Sequence, residues 1–88
     1  MAEIIECVPN VSEGRNYRTI EKLSNTIRAV EKVQLLDVHR DIDHNRSVFT
    51  FIGTPVGVFE AAYNMTEQAL ELIDINKNDG VHPFIGAV

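Results

Sequence analysis

The sequence predicts an α+β domain of the ferredoxin-like, split βαβ kind, with an antiparallel or mixed sheet and two helices on one face. Three observations carry that expectation. Short β-branched apolar runs and two longer stretches of helical spacing follow one another as strand, helix, strand, strand, helix and a last apolar run. The chain has 88 residues, room for one domain spanning 1–88. Its composition is globular, 44% hydrophobic and 24% charged, enough for a thin core.

The first run, Ile4-Ile5-Glu6-Cys7-Val8, is stopped by Pro9-Asn10 and reads as a buried strand. Val11 to Arg15 contains Ser12, Glu13 and Gly14, which is turn chemistry. After Asn16, a suitable N-cap, Tyr17, Ile20, Leu23, Ile27 and Val30 recur at steps of three and four and share one helical face. Arg18, Glu21, Lys22 and Arg28 take the other face. Residues 33–38 and 46–52 read as the second and third strands, with a polar segment, 39–45, between them. Gly53-Thr54-Pro55 stops the third strand. Thr54 caps a second helix whose first residue is Pro55, where a missing N–H costs nothing. That helix is expected to bury Val58, Phe59, Ala62, Met65, Thr66, Ala69, Leu72 and Ile73 and to end near Asp74. A polar connection, 76–80, leads through Val81-His82-Pro83, read as a loop, into the tail Phe84-Ile85-Gly86-Ala87-Val88. The chain stops inside that apolar run, so either another segment covers it or the chain is a piece of something longer, and the second is expected.

Charge narrows the function. Eight Lys and Arg against thirteen Asp and Glu give −5, the wrong sign for a nucleic-acid binder. Cys7 is the only cysteine, so no internal disulfide can form, and burial in a strand points to packing rather than reactivity. Met1-Ala2-Glu3-Ile4 begins neither a signal peptide nor a membrane span, and a cytoplasmic location is expected.

Polar side chains gather in three places. The turn Pro9-Asn10-Val11-Ser12-Glu13-Gly14 reads either as a helix-capping turn or as an anion-binding one, with Asn10 and Ser12 adding hydrogen bonds. The segment from Asp37 to Arg46 holds His39, His44, Asp41 and Asp43. It matches no standard metal spacing, and Arg40 and Arg46 suit carboxylates of a ligand or of the neighbouring aspartates better than a cation. His82, held extended by the following proline, has a side chain able to accept and return protons near neutrality; the alternative is an incidental loop histidine.

Glu6-Cys7-Val8-Pro9-Asn10-Val11-Ser12-Glu13-Gly14 resembles the opening of the formiminotransferase family, where E-C-V-P-N-F-S-E-G is typical. Leu35-Leu36-Asp37-Val38, His44-Asn45-Arg46-Ser47-Val48-Phe49-Thr50-Phe51-Ile52-Gly53, Leu72-Ile73-Asp74, His82-Pro83 and Ile85-Gly86-Ala87 resemble later family pieces in the same order. The likeness covers essentially the whole chain, as the front of the family's N-terminal subdomain.

The resemblance implies glutamate formimidoyltransferase activity: transfer of a formimidoyl group from N-formimidoyl-L-glutamate to tetrahydrofolate, a co-substrate, in one-carbon metabolism and histidine degradation. It also implies two ferredoxin-like subdomains around a folate cleft, and a homodimer or pairing with the remainder of the enzyme. His82 falls on the family's catalytic histidine. The family's acidic partner position is His39 here, so Asp37 or Asp41 would have to serve; Asn10, Ser12, Asn45 and Arg46 match recurrent positions expected to line the substrate site. Val81 and Phe84 stand where the family commonly has Glu and Arg. Two alternatives follow from the same residues: a non-catalytic folate-binding or oligomerisation module, and a metal binder through His39, His44 and His82.

Overall fold

A computed structural model describes residues 3–13, 15–72, 81–82 and 85–87. The elements are β1 (Ile5–Cys7), β2 (Asn10–Val11), α1 (Tyr17–Arg28), β3 (Val33–Asp41), β4 (Arg46–Gly53), α2 (Pro55–Leu72), β5 (Val81–His82) and β6 (Ile85–Ala87). Every pairing is antiparallel. β1 and β2 lie end to end along one side of β4, and β3 takes the other side. β6 and β5 lie end to end beyond β1 and β2. Among the described residues the sheet is thus four strand positions wide, with two helices, which is the expected split βαβ arrangement in its antiparallel form.

β1 and β2 are one strand with a proline in it. Cys7 pairs with Phe51 and Asn10 with Val48 in a single register. Between them the Phe49 N–H donates to the Pro9 carbonyl at 3.1 Å. Pro9 has no N–H to return, so that rung keeps one bond of two and the ladder resumes at Asn10. The sequence ends the first strand too early for this reason. Val81 and His82, read as loop, are strand because Val11 and Asn10 continue the ladder to meet them. β3 likewise runs on to Asp41, so His39 and Arg40 are strand rather than loop.

The expected helix end near Asp74, the connection 76–80, Gly14, Ile73, Pro83, Phe84 and Val88 lie outside the described residues.

Alternate strand residues form the floor of the core: Cys7, Pro9 and Val11, and on β4 Ser47, Phe49 and Phe51. Ile20, Leu23 and Ile27 of α1 and Val58, Ala61, Met65 and Ala69 of α2 cover them. Two aromatic residues expected inside are outside. Tyr17 is 59% exposed, at the first turn of α1, with the Arg40 guanidinium 5.4 Å from its ring centroid. Phe59 is 70% exposed, because α2 carries apolar residues on two opposite stripes and the sheet takes the one with the smaller side chains.

Both helix starts are capped as the sequence indicates. Asn16 Oδ1 accepts the Thr19 N–H at 3.2 Å, and Thr54 Oγ1 accepts the Gly57 N–H at 3.1 Å. Gly53 is required by packing, since a Cβ there would lie 2.3 Å from the Lys32 carbonyl oxygen. Among the described residues, no helix is long and apolar enough to cross a membrane.

Candidate functional site

Opposite the helices, the strands turn a second set of side chains outward. β1 and β2 contribute Glu6 and Asn10; β4 contributes Arg46, Val48, Thr50 and Ile52; β3 contributes Asp37, His39 and Asp41. The β3 set depends on a bulge. Val33 and Leu35 pack into the core, and strict alternation would send residues 37, 39 and 41 after them. Instead the register shifts between Leu35 and Asp37, Leu36 is the extra residue, and Val38 takes the inward position.

One row crosses the whole sheet. His39 pairs with Val48, Val48 with Asn10, and Asn10 with His82. With neighbouring strands about 4.8 Å apart, the His82 backbone lies about 5 Å from Asn10 and about 14 Å from β3. Asn10, rather than either aspartate, therefore stands beside His82. Asp37 and Asp41 share a strand at the opposite margin of the sheet. The same row separates His39 from His82, so the backbone does not draw the three histidines into one cluster.

The adjoining end of the sheet is a compact polar network. The Asp41 carboxylate accepts the His44 N–H at 3.2 Å, bonds His44 Nδ1 at 2.8 Å, and lies 3.7 Å from Arg46 Nε. These contacts, the His44 side chain first, hold the Asp41 carboxyl below its ordinary range. Arg46 thus takes the role of partner to a neighbouring aspartate, with its side chain still 58% exposed. Asn45 closes the β3–β4 turn at φ 50°, a left-handed conformation that asparagine tolerates better than most residues.

Two residues tie this turn to the segment after β2. Arg15 donates from Nε to the Ile42 carbonyl at 3.0 Å and from Nη2 to the Asp43 carbonyl at 3.4 Å. Buried Ser47 donates to the Glu13 carbonyl at 2.8 Å, and Glu13 Oε2 accepts the Asn16 N–H at 3.0 Å. The half-buried Ser12 belongs to this segment. Asn10, Ser12, Asp41, Asn45, Arg46 and the backbone of His82 thus come to one end of the sheet; Asp37 lies further along β3.

Sequence reasoning missed Arg15 and Ser47 as organisers. Ser47 had a signal, being the one polar member of the alternating Ser47-Phe49-Phe51 set; Arg15 had none. Cys7 takes no part, for it is wholly buried under the helices and burial pushes its thiol up to about 11.

Residues 4–88 match the family model of the formiminotransferase domain, N-terminal subdomain. A glutamate formimidoyltransferase of Streptococcus pyogenes serotype M1 is 46% identical over 87 residues, 99% of this chain and 29% of that protein. The formimidoyltransferase-cyclodeaminase of Gallus gallus is 46% identical over 88 residues, 100% of this chain and 16% of that protein. The chain therefore spans less than a third of the length of these curated relatives. Among solved structures, an uncharacterised protein of Thermotoga maritima superposes with a TM-score of 0.53 at 13% identity, covering 98% of both chains. A de novo designed protein gives the same TM-score at 10% identity, covering 100% of this chain and 97% of that one. Those two likenesses show the fold alone.

Proposed function

The chain belongs to the formiminotransferase family, as the N-terminal subdomain of its formiminotransferase domain, and from that premise we propose that it supplies one wall of a formimidoyl-transfer site. The donor is N-formimidoyl-L-glutamate and the acceptor tetrahydrofolate, with residues 1–88 acting as one subdomain of a longer enzyme. The observation that supports this reading best is the register: Asn10 stands directly across from His82, at the sheet end where Asp41, Asn45 and Arg46 gather.

In this reading the acceptor amine attacks the formimidoyl carbon and loses its proton, and the carbon–nitrogen bond to glutamate then breaks. His82 takes the first proton and returns one to the departing amine, acting as base and then acid. Asn10, with an amide donor and an amide acceptor, holds the imidazole or the substrate beside it. Arg46 pairs with a substrate carboxylate, and Ser12 and Asn45 hydrogen-bond at the same end. Asp37 and Asp41 act across the face on the charge of the imidazolium, since their strand is too far from His82 for the backbone to set up a direct bond.

The test is transfer activity of the full-length polypeptide carrying this chain. His82→Ala should lower kcat by about 10²–10⁴, the usual worth of a positioned acid–base group. An unchanged rate would remove His82 from the chemistry. An inactive parent that still binds reduced folate would favour the non-catalytic alternative.

A further inference from the structure

We propose that the outward face of α2 is a docking surface for a separate protein helix carrying an apolar stripe edged by Lys and Arg. Val56, Phe59, Tyr63 and Leu70 are 77%, 70%, 61% and 53% exposed. Their spacing of three, four and seven residues aligns them along one side of the helix, opposite the buried Val58, Ala61, Met65 and Ala69. Single exposed apolar residues are ordinary; an aligned set with two aromatic rings is the mark of an interaction surface. At about 1.5 Å per residue the 18 residues of α2 offer a track about 27 Å long, suited to a helix lying alongside.

Charge chooses the occupant. Glu60, Glu67 and Glu71 line one flank of the stripe, and α2 contains no Lys or Arg. At its first turn the stripe adjoins a cleft of about 480 Å³ whose lining includes Glu31, Lys32, Val56 and Glu60. Two copies of α2 packed antiparallel would place both glutamate rows along the same edge. Packed parallel, they would still offer those rows no cation. The outward side of α1 does carry Arg18, Lys22 and Arg28, but its only large exposed apolar residue is Tyr17. A second copy therefore lacks the complement, whereas a helix with apolar anchors and a basic edge supplies both halves of it.

The experiment titrates the full-length polypeptide carrying this chain, isotopically labelled over residues 1–88, with a synthetic amphipathic helix of leucine and lysine, and with its leucine–glutamate counterpart. The lysine peptide should bind saturably, shift amide resonances across residues 56–71, and weaken as ionic strength is raised from about 0.05 to about 0.5 M. Tyr63→Ser and the pair Glu60→Gln, Glu67→Gln should each weaken binding about tenfold, the first through lost apolar contact and the second through lost charge. These side chains lie outside the core, so the variants should keep the parent's circular dichroism. Equal binding of the acidic peptide, shifts confined to the open sheet face, or no binding would overturn the proposal. So would concentration-dependent dimerisation through this face, which would make a second copy the occupant, or amides of residues 56–71 already shielded from solvent by the rest of the polypeptide, which would make that remainder the occupant.

Discussion

At position 45 a conformational demand and a proposed ligand contact fall on the same residue. The backbone is left-handed at φ 50°, where asparagine and glycine are comfortable and alanine is not. Asn45→Ala should be about 1 kcal/mol less stable than Asn45→Gly, read by urea denaturation, because the two variants lose the same side chain and differ only in the backbone strain. The glycine variant then isolates the side chain: a raised KM in the full-length enzyme with kcat intact would assign the amide to substrate binding. Asp41 offers a second reading at this scale. His44, and to a lesser degree Arg46, lowers its pKa from the ordinary 3.8. The contribution of these contacts is complete above that ordinary value and fades as pH falls through the lower, folded-state value. Carbon-detected NMR should show the Asp41 midpoint move back up towards 3.8 in His44→Ala; an unmoved midpoint would assign the shift to other contacts.

Among the elements, β3 and β4 determine what reaches the open face, and each depends on one local irregularity. The bulge at Leu36 turns Asp37, His39 and Asp41 outward. Gly53 lets the α1–β3 turn press against the end of β4. Gly53→Ala should destabilise the chain by about 1–3 kcal/mol, because the methyl group meets rigid backbone and not a movable side chain. A thermal or urea midpoint equal to the parent's would show that the turn can yield. The order and type of the helices and main strands were legible because periodicity distinguishes them. The bulge was not, since Leu35-Leu36 has no turn chemistry and an extra residue in a strand is visible only against its partner. The continuation past Pro9 was hidden for a related reason: a proline reads locally as a stop, while the bond to its carbonyl comes from Phe49, forty residues later. Phe59 was misplaced because both sides of α2 are apolar, and no rule of spacing says which side the sheet will choose.

At the scale of the molecule, the antiparallel topology turns residues far apart in sequence into neighbours. Asn10 and His82 belong to motifs more than seventy residues apart, yet they pair directly. Sequence reasoning gathered Asn10, Ser12, Asp41, Asn45 and Arg46 as candidates, and the sheet brings them to one end. It did not reveal that both aspartates sit at the far margin from His82, because strand order is a property of the whole sheet and no single segment encodes it.

The buried Cys7 gives the whole fold a clock. It is the only thiol in the chain and is sealed in the core between the sheet and the helix layer. An alkylating reagent can reach it only when the core opens, and its raised pKa slows reaction further in the closed form. With opening in fast equilibrium, the labelling rate should therefore fall about tenfold for each 1.4 kcal/mol of stability gained, so that mass spectrometry after timed labelling reads the stability of any variant without denaturant. Labelling of the parent at the rate of a free thiol would mean that the core around Cys7 opens without global unfolding.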